Sequence, residues 1–155
     1  MSNSALSELP AAIEAWFTSK KWSPHPHQLD MLARRNDPAT VLIAPTGGGK
    51  TLAGFLPSLV DLVEVPHQGL HTLYVSPLKA LAADIKRNLR VPVEEIRLDI
   101  RIEDRTGDTS ATQKRRQRTD PPHILLTTPE SLALLTSYSD APRMFAGLKL
   151  SLIHI

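Results

Sequence analysis

Apolar residues recur along this chain in two alternating rhythms. Over residues 9–19, Leu9, Ile13, Trp16 and Phe17 fall at the spacing of an amphipathic helix. The two prolines of WSPHPHQ interrupt it, and residues 27–35 resume helical spacing with Leu29, Leu32 and Ala33 on one side. TVLIAP is a short β-branched apolar run, and its residues 41–44 are expected to form a buried parallel strand. After three glycines, Leu52, Phe55, Leu56, Leu59 and Val63 line one helical face. Pro57 lies inside that helix and is expected to bend it, because it removes one backbone bond and crowds the preceding turn. Three more alternations follow: LHTLYVSP then LKALAADIKRNL, LDIRIED then the basic TGDTSATQKRRQR, and HILLTTP then ESLALLTSY. LKLSLIHI reads as a fifth strand. Repeated β-then-α units predict an α/β fold, a parallel sheet with helices on both faces. No internal repeat or low-complexity linker is visible. Because the last strand has no polar tail behind it, the chain is expected to be a fragment, incomplete at its C-terminus.

Composition narrows the class without choosing a function. A chain of 155 residues with 41% hydrophobic and 22% charged residues can bury the core of one globular domain. The formal charge of +2 is too small to imply an acidic partner. There is no cysteine, so disulfides and thiolate chemistry are excluded. No apolar run approaches the roughly 20 residues of a membrane span. The start, MSNSALSELPAAIEAWF, lacks a basic segment followed by an apolar one, and the chain reads as mature cytoplasmic protein.

The strongest chemical signal is VLIAPTGGGKT, residues 41–51. A phosphate-binding loop usually reads G-x-x-x-x-G-K-[ST], between a strand and a helix. Here Ala44 takes the first position, where a methyl group fits if its φ is negative. Gly47, Gly48 and Gly49 remove Cβ atoms where the backbone must curl its N–H groups around a phosphate. The following helix N-terminus adds donors and partial positive charge. Lys50 would reach the β- and γ-phosphates, and Thr51 would place its hydroxyl on Mg2+. A glycine-rich turn that binds nothing is the bland alternative, but loop, Lys-Thr pair and helix coincide. The expected ligand is a nucleoside triphosphate. No [NT]-K-x-D segment marks a GTPase, and nothing marks the lid of a small-molecule kinase.

Three other segments end predicted strands. In YVSPLKAL, Ser76 is a natural helix cap and Pro77 a first helical residue, so Lys79 falls in the first turn, where a cation opposes the helix dipole. Either an anion such as a nucleic-acid phosphate docks beside it, or it is a solvated lysine; the segment alone leaves these even. LLTTPESL repeats the arrangement, with Thr128 as cap, Pro129 first and Glu130 in the first turn, and plain capping explains it equally. RTGDT, residues 105–109, is a tight polar turn. All three are expected to share the carboxyl edge of the sheet with the phosphate loop.

Taken in order, WSPHPHQ, APTGGGKTLAGFLPSLVDL, GLHTLYVSPLKALAADIKRNL, RTGDT and DPPHILLTTPESLALL closely resemble superfamily 2 helicases. The likeness is greatest to the Lhr group, and within it to the bacterial ligase-associated DEXH-box DNA helicases. It runs from about Trp16 to Leu150, almost the whole chain, and alanine at the first loop position is usual there. The resemblance implies a RecA-like fold, with residues 1–38 as N-terminal helices carrying an adenine-recognising glutamine and 39–155 as the phosphate-loop core. It implies that Gln28 recognises adenine, so ATP with Mg2+ is the expected cofactor, held by Gln28, Thr46, Gly47, Gly48, Gly49, Lys50 and Thr51. Pro77, Lys79, Gly107, Asp108, Thr128, Pro129 and Glu130 fall in motifs that line the single-strand path. The implied reaction is ATP hydrolysis driving 3′-to-5′ translocation on single-stranded DNA or a 3′-tailed duplex. The implied setting is bacterial DNA repair beside a DNA ligase and a nuclease, with no membrane.

One segment departs from that pattern. The family needs D-E-x-H at the end of the fifth strand, and aligning from Gly147 puts His154 and Ile155 where the two acids belong. Lys50 and Thr51 then lack a hydrolytic partner, and the chain is expected to bind nucleotide without turning it over. SLIHI itself is suspect as authentic sequence. A catalytically silent nucleotide- or nucleic-acid-binding module is the alternative reading. His25 and His27 lack a third ligand at metal spacing. The basic run Lys114, Arg115, Arg116 and Arg118 suits DNA phosphates or a solvated helix face equally. Trp16, Phe17 and Trp22 are read as core packing before adenine support.

Overall fold

A computed structural model of the chain describes residues 9–45 and 47–154. They gather into two compact units, one made of the chain up to Pro66 with Glu95–Leu98, the other of His67–Glu94 with the chain from Asp99 onward.

The first unit is built from α1 (Ala11–Ser19), α2 (Pro26–Ala33) and α3 (Lys50–Glu64). Ile13, Trp16 and Phe17 form the buried stripe of α1, and the Trp16 and Phe17 rings meet edge-on at 5.1 Å. Trp22, edge-on to Trp16, is 54% exposed. The Trp16 indole N–H donates to Glu95 Oε2 at 2.6 Å, and Lys20 donates to Oε1 at 2.6 Å. The Lys20 bond, with Trp16 adding to it, holds the Glu95 carboxyl below its ordinary range. On α2 the predicted apolar face is only partly buried. Leu32 is inside and Ala33 is exposed, while Gln28 takes a core position at 2% exposure. Pro57 does not end α3: the helix runs unbroken past it, burying Phe55, Leu56, Pro57, Leu59 and Val60.

Residues 41–44 differ from expectation. They belong to no strand, and Val41 and Ile43 are 80% and 90% exposed. β-branched propensity fits a run for a strand, but a strand exists only through ladder bonds to a neighbour. Among the described residues none of the sheet's ladders includes this run.

The second unit holds a four-stranded, all-parallel sheet. Its strands are β1 (Thr72–Val75), β2 (Ile102–Arg105), β3 (Ile124–Thr127) and β4 (Leu150–Ile153), in the order β2-β3-β1-β4. The helices α4 (Lys79–Ile96, its last two residues counted with the first unit), α5 (Ala111–Thr119), α6 (Pro129–Thr136) and α7 (Ala141–Phe145) flank it. Every residue of β1 and β3 is buried, as expected where both faces of a parallel sheet are covered. Leu73, Val75 and Leu125 share one cluster with Leu70, Leu135 and Met144. Strand alternation turns Tyr74, Ile124 and Leu126 to the other face, all of them buried. The architecture is RecA-like α/β. α4 is longer than predicted, continuing through Pro92, and α7 is an element the sequence pattern did not reveal.

Candidate functional site

The glycine loop of the first unit has the backbone that its sequence calls for. Gly47 and Gly49 sit at φ +80° and +70°, in the left-handed region. Ala44 is not among the described non-glycine residues with positive φ, which are Lys21 and Arg97, so its methyl fits. A Cβ on Gly48 would lie 3.1 Å from the Pro45 carbonyl, and one on Gly49 would lie 2.8 Å from Gln28 Nε2. Gly49 caps α3, so the helix opens directly out of the loop. Its first turn presents backbone N–H groups that have no acceptor within the helix, the usual basis of anion binding. Lys50 Nζ folds back to donate to the Ala44 carbonyl at 2.6 Å, over the loop. Thr46 lies outside the described residues.

This donor set fits a triphosphate. For Mg2+ the loop offers the Thr51 hydroxyl, and among the described residues no group of three His, Asp or Glu side chains is placed to hold a metal. Such an ion would take its remaining oxygens from phosphate and water. The rings of His25 and His27 stack at 5.3 Å.

Gln28 is tied to the loop through both ends of its amide. Oε1 accepts from the His25 backbone N–H at 2.8 Å, closing the first turn of α2, and Nε2 donates to the Gly49 carbonyl at 3.3 Å. Periodicity alone makes this position a surface residue; the two backbone partners are what let it be buried.

In the second unit the strand ends form a level edge. Val75, Arg105 and Thr127 are in register across β1, β3 and β2, so the three following turns stand side by side. After β1, Ser76 Oγ accepts from the Leu78 N–H at 3.3 Å and α4 begins at Lys79, two residues later than a helix capped by Ser76 would. Pro77 and Lys79 are exposed there. After β3, Thr128 caps α6 by accepting from the Ser131 N–H at 3.4 Å, with Pro129 first in the helix. Thr128 is 4% exposed and its hydroxyl also donates to Ser131 Oγ, whereas Pro129 and Glu130 are open to solvent.

After β2 the turn is pinned internally. The Thr106 N–H donates to Thr109 Oγ1 at 3.0 Å, and the Asp108 N–H donates to Thr106 Oγ1 at 3.3 Å. Asp108 thereby meets Lys79, whose Nζ stands 3.1 and 3.2 Å from the two carboxylate oxygens. The anion beside the awkwardly placed lysine is therefore supplied by the chain itself. A second ammonium, Lys114 Nζ, donates to the Gly107 carbonyl at 3.1 Å. No local sequence pattern links Lys114 to this turn.

The basic run is largely committed inside its unit. Arg116 pairs with Glu103 at 2.7 Å. Arg118 grips Asp140 through Nε and Nη2 and lies 3.9 Å over the Tyr138 ring. Burial alone would raise the Glu103 carboxyl, but the Arg116 and Gln117 hydrogen bonds and nearby guanidinium charge outweigh it and hold it low. The Arg118 bonds likewise depress Asp140. Arg115 is the exposed member of the run. Beneath them Arg105 is 2% exposed and donates through Nη1 to the Lys114 carbonyl at 2.8 Å and to Gln117 Oε1 at 3.3 Å.

Similarity to known proteins follows the same segments. The DEAD/DEAH box helicase family matches residues 26–153. A relative from Mycolicibacterium smegmatis described as Lhr helicase/probable uracil glycosylase is 42% identical over 84% of this chain and 10% of its own length. The ATP-dependent helicase Lhr-Core of Methanocaldococcus jannaschii is 38% identical over 91% of this chain and 19% of its own. The solved structure of the Mycobacterium smegmatis helicase Lhr bound to ssDNA and AMP-PNP superposes with a TM-score of 0.84 at 39% identity, covering 96% of this chain and 20% of that one. The chain thus spans a fifth or less of the length of these proteins. With the family pattern running from α2 to β4, through glycine loop, sheet edge and pinned turn alike, this chain belongs to the DEAD/DEAH box helicases.

Proposed function

We propose that the chain is the N-terminal part of the first RecA-like motor domain of an ATP-dependent DNA helicase. Residues 1–38 carry the adenine-recognising glutamine, and residues 39–155 the phosphate-loop core. The observation that carries this reading is the glycine loop, with two left-handed glycines opening directly into α3 beside Gln28. Gln28 selects adenine; the backbone of Thr46 to Gly49 cradles the phosphates; Lys50 neutralises the β- and γ-phosphates; Thr51 supplies one oxygen to Mg2+. Bound Mg2+ would offset phosphate charge during hydrolysis. Pro77, Lys79, Gly107, Asp108, Thr128, Pro129 and Glu130 mark the single-strand path along the sheet edge of the second unit. For the buried Thr128, backbone groups rather than the engaged hydroxyl would face the strand.

For the whole protein the proposed activity is 3′-to-5′ translocation on single-stranded DNA or a 3′-tailed duplex, in bacterial DNA repair with a DNA ligase and a nuclease. Support for the strand and for an adenine nucleotide comes from the Lhr relative, solved with ssDNA and AMP-PNP. Among the described residues no helix is long and apolar enough to cross a membrane, and a cytoplasmic setting is part of the proposal.

Fluorescent ATP and GTP analogues titrated into the chain with Mg2+ test the nucleotide assignment. ATP should bind more tightly than GTP, Gln28→Ala should erase the difference, and Lys50→Ala should weaken both. Equal affinities in the parent would remove the adenine assignment. For the whole protein, unwinding of 5′-tailed but not 3′-tailed duplexes would refute the polarity.

A further inference from the structure

We infer that Asp108 is a built-in counter-anion for Lys79, one that a nucleic-acid phosphate must displace, so that this carboxylate restrains strand binding at the sheet edge. The inference rests on the proposed strand path and adds a regulating residue to it.

The pair is placed by more than proximity. Lys79 opens α4, where its charge opposes the helix dipole and gains from any nearby anion. Asp108 reaches it bidentately because the turn is locked by Thr106 and Thr109 hydroxyls. Gly107 leaves the room: a Cβ there would stand 3.3 Å from Lys79 Nζ. Lys114 sits on the Gly107 carbonyl, so two ammonium groups converge on one turn. A carboxylate has no proton to offer a phosphate, and beside a phosphodiester it is repelled. Asp108 therefore acts on a strand through Lys79, by holding its ammonium when the strand is absent. The side chains are 54% and 79% exposed, so solvent and salt reach the pair and a phosphate can approach the ammonium.

An exposed ion pair of this kind restrains without blocking, and its removal should tighten strand binding by about two- to fivefold. The experiment measures fluorescence anisotropy of a labelled oligo-dT with the 155-residue chain and with Asp108→Asn, Lys79→Ala, the double variant and Glu94→Gln. Thermal melts confirm that each is folded. Glu94→Gln removes one exposed carboxylate of the same unit, 65% exposed and paired with Arg90, and controls for net charge. Asp108→Asn should tighten binding, Glu94→Gln should not, and in the Lys79→Ala background Asp108→Asn should gain clearly less than in the parent, keeping only the relief of direct repulsion. If Lys79→Ala weakens binding while Asp108→Asn leaves it unchanged or weaker, this inference fails and the strand path stands. A gain of equal size from Glu94→Gln, or one undiminished in the Lys79→Ala background, also overturns it. If Lys79→Ala has no effect, or the parent binds no strand, the strand path itself fails and the inference with it.

Discussion

Gln28 and Gly49 lie 21 positions apart in sequence, yet the side-chain amide of one donates to the backbone carbonyl of the other at 3.3 Å. The contact requires that residue 49 have no side chain, since a Cβ there would come within 2.8 Å of the same nitrogen. The residue that reads adenine in the proposed function is therefore also a brace for the phosphate loop.

Substituting the two left-handed glycines should separate backbone strain from steric conflict. Gly47→Ala meets nothing within 4 Å and should lose only the cost of left-handed backbone, about 1–2 kcal/mol. Gly49→Ala carries the same strain and must also push Gln28 and His25 aside, so it should lose more. Denaturant melts compare the two directly, and equal losses would mean that Gln28 yields freely.

The interior of the second unit should be sensitive at Arg105. Its guanidinium is 2% exposed and bonds the Lys114 carbonyl and Gln117, tying α5 to the end of β2. Lysine cannot reproduce the planar fork, and Arg105→Lys should destabilise the chain by about 1–3 kcal/mol through acceptors left unpaired. Arg115→Lys, on the exposed side of α5, should stay within about 0.5 kcal/mol of the parent. Urea titration of both variants checks the contrast.

Two kinds of titrating group set the acid response. Glu95, held low by Lys20 and Trp16, and Asp120 and Asp140, held low by Arg101 and Arg118, have folded pKa values below their unfolded ones. Their contribution is present above the ordinary carboxylate range, about pH 4, and is lost as pH falls through the lowered values. His123 acts at higher pH. Its Nδ1 accepts from the Arg101 N–H at 3.0 Å and its Nε2 contacts the His67 carbonyl at 3.0 Å, which assigns the neutral Nε2–H form. Burial lowers its pKa, so stability should begin to fall as pH drops below about 6.5, where the unfolded imidazole already takes a proton. Stability curves against pH, with an NMR titration of the His123 ring, test both; a His123 pKa above 6.5 would contradict the burial argument.

Nucleotide turnover by the chain itself should be negligible. This expectation rests on the resemblance to the family, whose metal-binding and water-orienting acids it aligns with His154 and Ile155. A coupled phosphate-release assay should show no steady rate above background. A rate abolished by Lys50→Ala would show that other carboxylates replace them.

Much of this architecture was legible because it is local. The periodicity of Ile13, Trp16 and Phe17, the apolar runs around Leu73 and Leu125, and the Thr128-Pro129 cap each depend on neighbours a few positions away, and the structure places helix, strands and cap there. The loop glycines are equally readable, since residues without Cβ adopt a left-handed backbone at the least steric cost. α7 escaped because five residues are too few to display a period. At 41–44 propensity misled, because Val41 and Ile43 fit a strand while strand formation depends on a partner that no local pattern names.

The sequence by itself thus determined the types of α1–α6 and β1–β4, the glycine loop and the family. Only the tertiary structure decided the strand order β2-β3-β1-β4, the burial of Gln28, and which acid each cation meets. Lys79 finds Asp108 after 29 residues, and Arg118 finds Asp140 after 22. An ion pair needs only two opposite charges within reach, so sequence offers many possible partners for every arginine and lysine. The fold selects among them by setting distance and burial, and these depend on contacts between segments far apart in the chain.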